Sequence, residues 1–325
     1  MKPISRIFIA GVLVAFIAAC NGSTGDLGSI PSAAPTPSVD PSGSDMTPLP
    51  IDTPTPAPLQ SADPGASSSQ APTPIPSKAE TMIVRVYFVL GGEPGSVGLV
   101  PVLRVVPKSV AVGKAAMDAL LAGPTADESG ERTITSAVPD GTTLLGLSIK
   151  KSVATVDLST EFDSGGGTAS MQYRLAQVVY TLTQFSTVKT VVFQIEGQTV
   201  TVFGSEGIVL DGPVGRADYY DQLPSIFVDR PAYGAAIGNP ARITGNANVF
   251  EAQFRMAVLD RAGKTLVDAP VMATCGTGCR GTFSVTLDYA VAKAQWGTLR
   301  VYDPSEKDGT PEDIRDYPVW LVPAG

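Results

Sequence analysis

Two kinds of hydrophobic pattern follow one another along the larger, second part of the chain. Between 80 and 217, β-rich apolar runs at 82–90 and 99–106 precede segments whose apolar residues recur every three or four positions, near 112–120 and 168–184. Further β-rich runs lie at 143–149, 153–158, 190–195 and 199–203. This order of strands and helices predicts an α+β domain with a mainly antiparallel sheet and helices on one face.

The pattern changes after residue 217, because no helical spacing recurs there. Seven short β-rich runs alternate with turn residues, at 225–228, 241–245, 253–259, 265–274, 281–287, 297–302 and 317–322. Seven short strands in about 100 residues predict an immunoglobulin-like β-sandwich. The chain therefore divides into 1–19, 20–79, the α+β domain 80–217 and the β-sandwich 218–325.

The first nineteen residues predict a lipoprotein signal peptide. Lys2 and Arg6 form a basic start, and the apolar run 7–19 is too short to span a bilayer of about 30 Å as a helix. The segment 17–20 (IAAC) resembles the lipobox of bacterial lipoproteins, in which the cysteine is acylated. Ordinary signal cleavage beside an incidental Cys20 is the alternative. Lipidation of Cys20 would hold the protein on the extracytoplasmic face of the cell membrane.

Residues 20–79 predict a lipidated cysteine followed by a disordered stalk. The stretch 21–79 contains 13 prolines and no aromatic residue, with repeats such as 34–37 (APTP) and 53–58 (TPTPAP). Such a segment has little to bury and favours polyproline II conformations. Its end-to-end distance as a flexible coil would average roughly 45 Å. We expect this stalk to hold the folded domains away from the membrane.

The composition excludes several kinds of chemistry. The sequence has no histidine, so neither a Ser-His-Asp nor a Cys-His nucleophile can be built, nor an HExxH zinc site. Its 31 acidic residues against 23 basic ones give a formal net charge of −8, which argues against nucleic acid as a partner. We therefore expect no catalytic residues, no metal and no cofactor.

Two cysteines lie close together in the predicted β-sandwich. Cys275 and Cys279 are separated by three small residues, between two predicted strands. Outside a reducing compartment, a disulfide that closes this loop is the expected state. A redox site and a zinc site are weaker alternatives, because Arg280 is the only basic neighbour and histidine ligands are missing.

Two groups of carboxylates and one arginine are the remaining candidates for chemistry. Asp157, Glu161 and Asp163 could act as a glycosidase pair or could simply solvate a loop, and the second interpretation is favoured. A second group offers oxygen ligands for calcium or a solvated turn, again with the second favoured; its members are Asp303, Glu306, Asp308, Glu312 and Asp313. Arg104 in a β-rich run predicts a structural ion pair in preference to an assembly contact.

The α+β domain resembles a known bacterial family. Five ordered blocks carry the resemblance: 99–104 (LVPVLR), 120–125 (LLAGPT), 137–141 (AVPDG), 154–159 (ATVDLS) and 179–185 (VYTLTQF). Together they resemble the GerMN domain of sporulation and spore germination, found in bacterial envelope lipoproteins. The resemblance implies a role in assembly or binding, since no catalytic residue set is established for the family.

The second domain resembles the immunoglobulin-like domain of bacterial spore germination, which commonly follows a GerMN domain. The matching segments are 231–234 (PAYG), 243–251 (ITGNANVFE), 281–284 (GTFS) and 305–309 (SEKDG). The insert 275–279 departs from the glycine-rich turn expected there. The order of the two domains supports both resemblances.

The sequence thus predicts a membrane-anchored envelope lipoprotein with a non-catalytic role in binding or assembly. Its expected partners are the lipid bilayer through acylated Cys20, envelope proteins or further copies through 80–217, and the cell wall. Sporulation, spore germination or a wall-associated complex is the expected setting. Two alternatives remain, a solute-binding lipoprotein of a transporter and a wall-glycan hydrolase that uses the carboxylates around Glu161.

Overall fold

The structure is a computed structural model that describes residues 80–92, 95–130 and 133–324. The predicted signal peptide, Cys20 and the stalk lie outside the described residues. The described part belongs to one compact unit that contains both predicted domains, and the boundary at 217 stays a prediction. Within these ranges, no helix has the length and hydropathy that crossing a bilayer requires.

Up to residue 217, the described chain forms three α-helices and nine strands. The helices are α1 (Val112–Leu121), α2 (Ala126–Gly130) and α3 (Thr168–Leu182). The strands are β1 (Thr81–Leu90), β2 (Gly98–Pro107), β3 (Ile134–Thr135), β4 (Leu144–Lys150), β5 (Val153–Leu158), β6 (Thr190–Ile195), β7 (Gln198–Thr199), β8 (Val202–Phe203) and β9 (Ile208–Val209). The predicted α+β class is confirmed.

The strands of this domain are divided between two main sheets. One has the order β2-β1-β3 and the other β4-β5-β6-β7, while β8 and β9 form a separate pair. Antiparallel pairs predominate as predicted, but β5 and β6 pair in parallel because α3 crosses between them. The single strand predicted at 199–203 is wrong. The chain changes partners there, since the Val200 N–H donates to Phe193 and the Leu210 N–H donates to the Thr201 carbonyl.

Side chains of α3, together with Gln184 just after it, take the place of a neighbouring strand along part of β1. Gln177 Nε2 donates to the Tyr87 carbonyl at 2.9 Å, and Thr181 Oγ1 accepts from the Tyr87 N–H at 3.2 Å. Gln184 accepts from the Arg85 N–H at 2.9 Å and donates to the Arg85 carbonyl at 2.5 Å. Gln177 and Thr181 are fully buried, so these contacts satisfy backbone groups that would otherwise lack partners.

The second half is the predicted immunoglobulin-like sandwich. Its strands are β10 (Ile226–Arg230), β11 (Ala236–Ile237), β12 (Ala241–Ala247), β13 (Gln253–Leu259), β14 (Thr265–Met272), β15 (Gly281–Leu287), β16 (Gln295–Pro304) and β17 (Pro311–Leu321). The sheet β10-β12-β15 faces the sheet β11-β17-β16-β13-β14, and Phe254 meets Phe283 across the core at 5.0 Å between ring centroids. Strand β17 begins at Pro311, earlier than the predicted residue 317. Its first residues form one arm of a hairpin and are largely charged, so they lack the apolar pattern from which the strand was predicted.

Arg315 of β17 binds the α+β domain. Its Nη2 donates to the Leu99 carbonyl at 2.8 Å and to the Gly98 carbonyl at 3.3 Å, and its Nη1 donates to the Ser96 carbonyl. Burial lowers the pKa of its guanidinium. Gly98 lets the segment before β10 approach β2 closely, because its φ is +149° and a Cβ there would lie 2.6 Å from the Pro224 nitrogen.

A second contact joins the domains at Asp229 of β10. Its Oδ1 accepts from the Tyr87 hydroxyl at 2.6 Å and from Arg216 Nη1 at 3.3 Å. The Arg216 guanidinium also covers the Tyr180 ring at 4.6 Å. Burial and the Asp229 charge raise the pKa of Tyr87 to about 12, although Arg216 and Arg85 oppose the shift. Tyr87 therefore stays protonated at neutral pH and keeps its donor.

Candidate functional site

The first group of predicted carboxylates fixes loops. Asp157 Oδ1 accepts from the Gly197 N–H at 2.8 Å, and Asp163 Oδ1 accepts from the Gly204 N–H at 2.7 Å. Glu161 is exposed, and a side-chain hydrogen bond lowers the pKa of its carboxyl. A general acid needs a raised pKa, so the shift at Glu161 has the wrong direction for that role. The geometry supports the solvated-loop interpretation.

Three members of the second group, Asp303, Glu306 and Glu312, line an open cavity of about 510 Å³ beside the hairpin of β16 and β17. Burial, followed by the charges of Asp313, Glu312 and Glu306, raises the pKa of Asp303 to about 6. Asp308 does not contribute to this shift. Its Oδ1 accepts hydrogen bonds from the backbone N–H and the hydroxyl of Thr310. Among the described residues, no set of three or more cysteine or carboxylate side chains is arranged to hold a metal ion.

Two other predicted features have clear geometry. The sulfurs of Cys275 and Cys279 are joined as a disulfide. Arg104 forms two hydrogen bonds with Glu128, at 2.8 and 2.6 Å, in a half-buried ion pair. Burial raises the pKa of Glu128, but the hydrogen bond from Arg104 opposes it, so the net shift is downward. Arg104 thus has the structural role that the sequence favoured.

The strongest candidate for an interaction site is an apolar groove between α1 and β4. Its volume is about 290 Å³, and it lies between the start of the helix and the strand. Val110 is fully exposed at its rim, while Leu145 and Ile149 are 49% and 41% exposed. Leu147 lines the groove between them. These four residues and the groove are called the α1–β4 surface below.

The α1–β4 surface lies along an open sheet edge. Strand β4 is the first strand of its sheet, and its only strand partner among the described residues is β5. Helix α1 packs closely on one side of it, because a Cβ on Gly113 would lie 3.1 Å from Leu147 Cδ2. Exposed apolar side chains next to an unpaired strand edge are the features that protein–protein contacts use.

Sequence reasoning placed β4 correctly but did not identify this surface. The run 144–150 (LLGLSIK) alternates, and its apolar positions 145, 147 and 149 share one side. Alternation is typical of a strand with one buried side. It does not show whether that side is covered by the protein's own core or left partly open, because coverage depends on where the neighbouring helix begins.

The two halves of the described chain match two family models. Residues 85–201 match the family "Sporulation and spore germination", and residues 225–310 match the "Immunoglobulin-like domain of bacterial spore germination". The chain therefore combines a GerMN-like domain with an immunoglobulin-like domain of bacterial spore germination, which confirms both resemblances. Neither family description names an enzymatic activity.

Solved structures from bacteria are also similar to parts of this chain. The tandem GerMN domains of the sporulation protein GerM from Bacillus subtilis are 18% identical, covering 64% of this chain and 62% of that one, with a TM-score of 0.38. The chain thus spans less than two thirds of that structure. The first GerMN domain of the same protein is 25% identical over 42% of this chain and 99% of that one, with a TM-score of 0.36. A putative lipoprotein from Clostridium perfringens is 21% identical over 42% and 89%, with a TM-score of 0.31. No curated protein matches the sequence.

Proposed function

We propose that this chain is a non-catalytic envelope protein of sporulation, spore germination or a wall-associated complex. Acylated Cys20 anchors it in the cell membrane on the extracytoplasmic face, and the folded domains bind protein partners there. The proposal is supported by the two spore-germination domains and by the lipobox-like segment 17–20. It assigns the protein to assembly rather than to transport or hydrolysis.

The α1–β4 surface is the observation that carries this proposal. A groove with exposed Val110, Leu145 and Ile149 beside an open strand edge is suited to a protein partner. The carboxylates of the α+β domain, in contrast, are occupied with backbone amides or lie in solvent. The features of this domain therefore favour a role in binding over a role in catalysis.

Site-specific cross-linking in living cells tests the binding role. A photo-reactive residue at Val110 or Leu145 is expected to capture discrete protein partners, which mass spectrometry then identifies. The matched control is the same residue at Val202, an apolar side chain of β8 that is 57% exposed and lies outside this surface. Equal capture at all three positions, or capture of wall fragments alone, would contradict the proposed role of the surface.

Fractionation of cells tests the anchor. Cys20→Ala removes the thioether, and stable anchoring takes two membrane signals such as the two chains of a diacylglycerol. We expect the variant to leave the membrane fraction. Immunoblotting of the membrane and soluble fractions is the measurement. The double variant Cys275→Ala/Cys279→Ala is the control and should remain with the membrane. Retention of the Cys20→Ala variant in the membrane fraction would show that the anchor is elsewhere.

A further inference from the structure

We propose that β4 pairs antiparallel with β4 of a second copy of this chain. The resulting two-fold dimer would continue the sheet β4-β5-β6-β7 across both copies. This inference rests on the proposed function, because it names the partner of the α1–β4 surface. Two-fold dimers are the commonest closed assemblies, and each copy then contributes the same surface.

The open edge supplies the backbone for this pairing. Strand β4 has seven residues, and all of its ladder partners lie on β5. The opposite row of N–H and C=O groups has no strand partner within the described ranges. Such a row is a template for another strand, and main-chain hydrogen bonds of this kind supply affinity in strand addition.

The side chains favour a self-complementary register. When two β4 strands run antiparallel about Leu147, Leu145 of each copy lies opposite Ile149 of the other, and the two Leu147 side chains meet at the axis. All six apolar side chains then share one face of the joined sheet. Leu145 and Ile149, which are 49% and 41% exposed in one copy, become covered by the second copy.

The charges at the ends of β4 select the antiparallel direction. Lys150 is the last residue of β4, Lys151 follows it in the next turn, and Asp140 lies in the turn before the strand. None of the three forms an ion pair within the described part of the chain. Antiparallel pairing brings the lysines of each copy to the end that carries Asp140 of the other. Parallel pairing would instead place lysines beside lysines, which is unfavourable.

The same features limit the pairing to two copies. A bulge interrupts the β4 ladder between Leu144 and Gly146, and Lys150 occupies the other end. Bulges and lysines are devices that prevent open-ended growth of a sheet edge. The two-fold contact about Leu147 lies between these two features.

Cysteine cross-linking in membranes that contain the full-length protein tests the geometry. Leu147→Cys places one thiol of each copy at the axis, so mild oxidation should give a disulfide-linked homodimer on non-reducing gels. Leu145→Cys and Ile149→Cys should cross-link with each other when co-expressed, and less when each is alone. The control is Val202→Cys, which has comparable exposure outside the surface and should stay monomeric.

A charge exchange tests the direction without altering the apolar surface. Asp140→Lys should weaken the dimer about tenfold, because it places like charges together at both ends. Adding Lys150→Asp and Lys151→Asp to that variant should restore the dimer. Since Asp140, Lys150 and Lys151 are all exposed, these variants keep the core intact. Cross-linking yield of Leu147→Cys in each background is the measurement.

The outcomes separate this inference from the proposed function. Axis-specific homodimers that respond to the charge exchange support two-fold pairing. Absence of homodimers, with a different protein cross-linked at Leu145, would overturn the pairing and leave the binding role in place. Absence of both would overturn the pairing and the binding role of the surface together. Homodimers of equal yield at Val202 would show random collision and would also overturn the pairing.

Discussion

Asp303 lines an open cavity together with Glu306 and Glu312, and its carboxyl changes protonation near the physiological pH range. Burial and the neighbouring charges of Asp313, Glu312 and Glu306 raise the pKa of its carboxyl to about 6 from an ordinary 3.8. A carboxyl whose pKa is raised in the folded state favours folding while it is protonated. This stabilisation is present below the ordinary value and is lost as the pH rises through about 6.

Replacing Asp303 with asparagine tests this effect. Asp303→Asn removes the charge that the fold disfavours, so the melting temperature should rise at pH 7.5 and change little at pH 4. Circular dichroism at both pH values is the measurement. Asp308→Asn is the control with the opposite sign, because hydrogen bonds from Thr310 lower the pKa of Asp308. A shift of equal size at both pH values for Asp303→Asn would contradict the assignment.

At the scale of elements, the contact between α3 and β1 holds the first sheet to the helix. Gln177 Oε1 accepts from the Ala137 N–H at 2.7 Å, and its Nε2 donates to the Tyr87 carbonyl at 2.9 Å. A helix side chain here satisfies two backbone segments that come from different parts of the sequence. The sheet ends at this point without needing another strand.

Replacing Gln177 with leucine should therefore destabilise the protein despite the apolar surroundings. Gln177→Leu leaves the partly buried Ala137 N–H and the buried Tyr87 carbonyl without this partner, and we expect a loss of about 1–3 kcal/mol in the free energy of unfolding. Urea titration followed by circular dichroism measures it. Gln172→Leu on the same helix is the control, since Gln172 is only half-buried. An equal loss in both variants would mean that the buried hydrogen bonds contribute nothing specific.

The elements show what sequence patterns predict and what they miss. The apolar face of α3 was predicted from helical spacing, and its five apolar residues are all fully buried; they are Met171, Leu175, Val178, Val179 and Leu182. The polar contacts of Gln177 were not predicted, because hydrophobic periodicity carries no information about which backbone groups lack a strand partner. The short α2 and β11 were missed since segments of a few residues hold too little periodicity.

The candidate site likewise has one feature that the sequence predicted and one that it missed. A structural ion pair of Arg104 was favoured from a charge in a β-rich run, and the structure shows Glu128 as the partner that the sequence did not identify. The α1–β4 surface depends on three-dimensional coverage: where α1 begins, how closely Gly113 approaches β4, and which strand lies at the edge. These are properties of packing between segments far apart in sequence, so local patterns could not reveal them.

At the scale of the whole molecule, the two domains form one compact unit. Arg315 binds carbonyls of the segment before and within β2, while Asp229 binds Tyr87 of β1. In addition, the Tyr233 N–H donates to the Pro101 carbonyl at 2.8 Å, which extends the edge of the first sheet into the second domain. Contacts of this kind couple the orientation and the stability of the two domains.

Arg315→Met should break this coupling. The change leaves three carbonyls of the α+β domain without their donor, and we expect a loss of about 2–4 kcal/mol in the free energy of unfolding. Two probes distinguish the domains. Both tryptophans, Trp296 and Trp320, lie in the sandwich, whereas the described α-helices lie in the α+β domain. Tryptophan fluorescence and far-ultraviolet circular dichroism therefore follow different halves of the molecule.

The unaltered protein should give coincident urea transitions by both probes, because the contacts between the domains make them unfold together. In Arg315→Met the two transitions should separate, with the less stable domain unfolding first. Arg300→Met is the matched control, since Arg300 pairs with Asp316 on the exposed face of the same sheet, and such surface pairs contribute about 0–1 kcal/mol. Coincident transitions in Arg315→Met would show that the buried guanidinium does not couple the domains, and separate transitions in the unaltered protein would show that they were never coupled. If the domains are coupled in this way, a partner bound at the α1–β4 surface also fixes the position of the sandwich, because the contacts of Arg315 and Asp229 hold the two domains together.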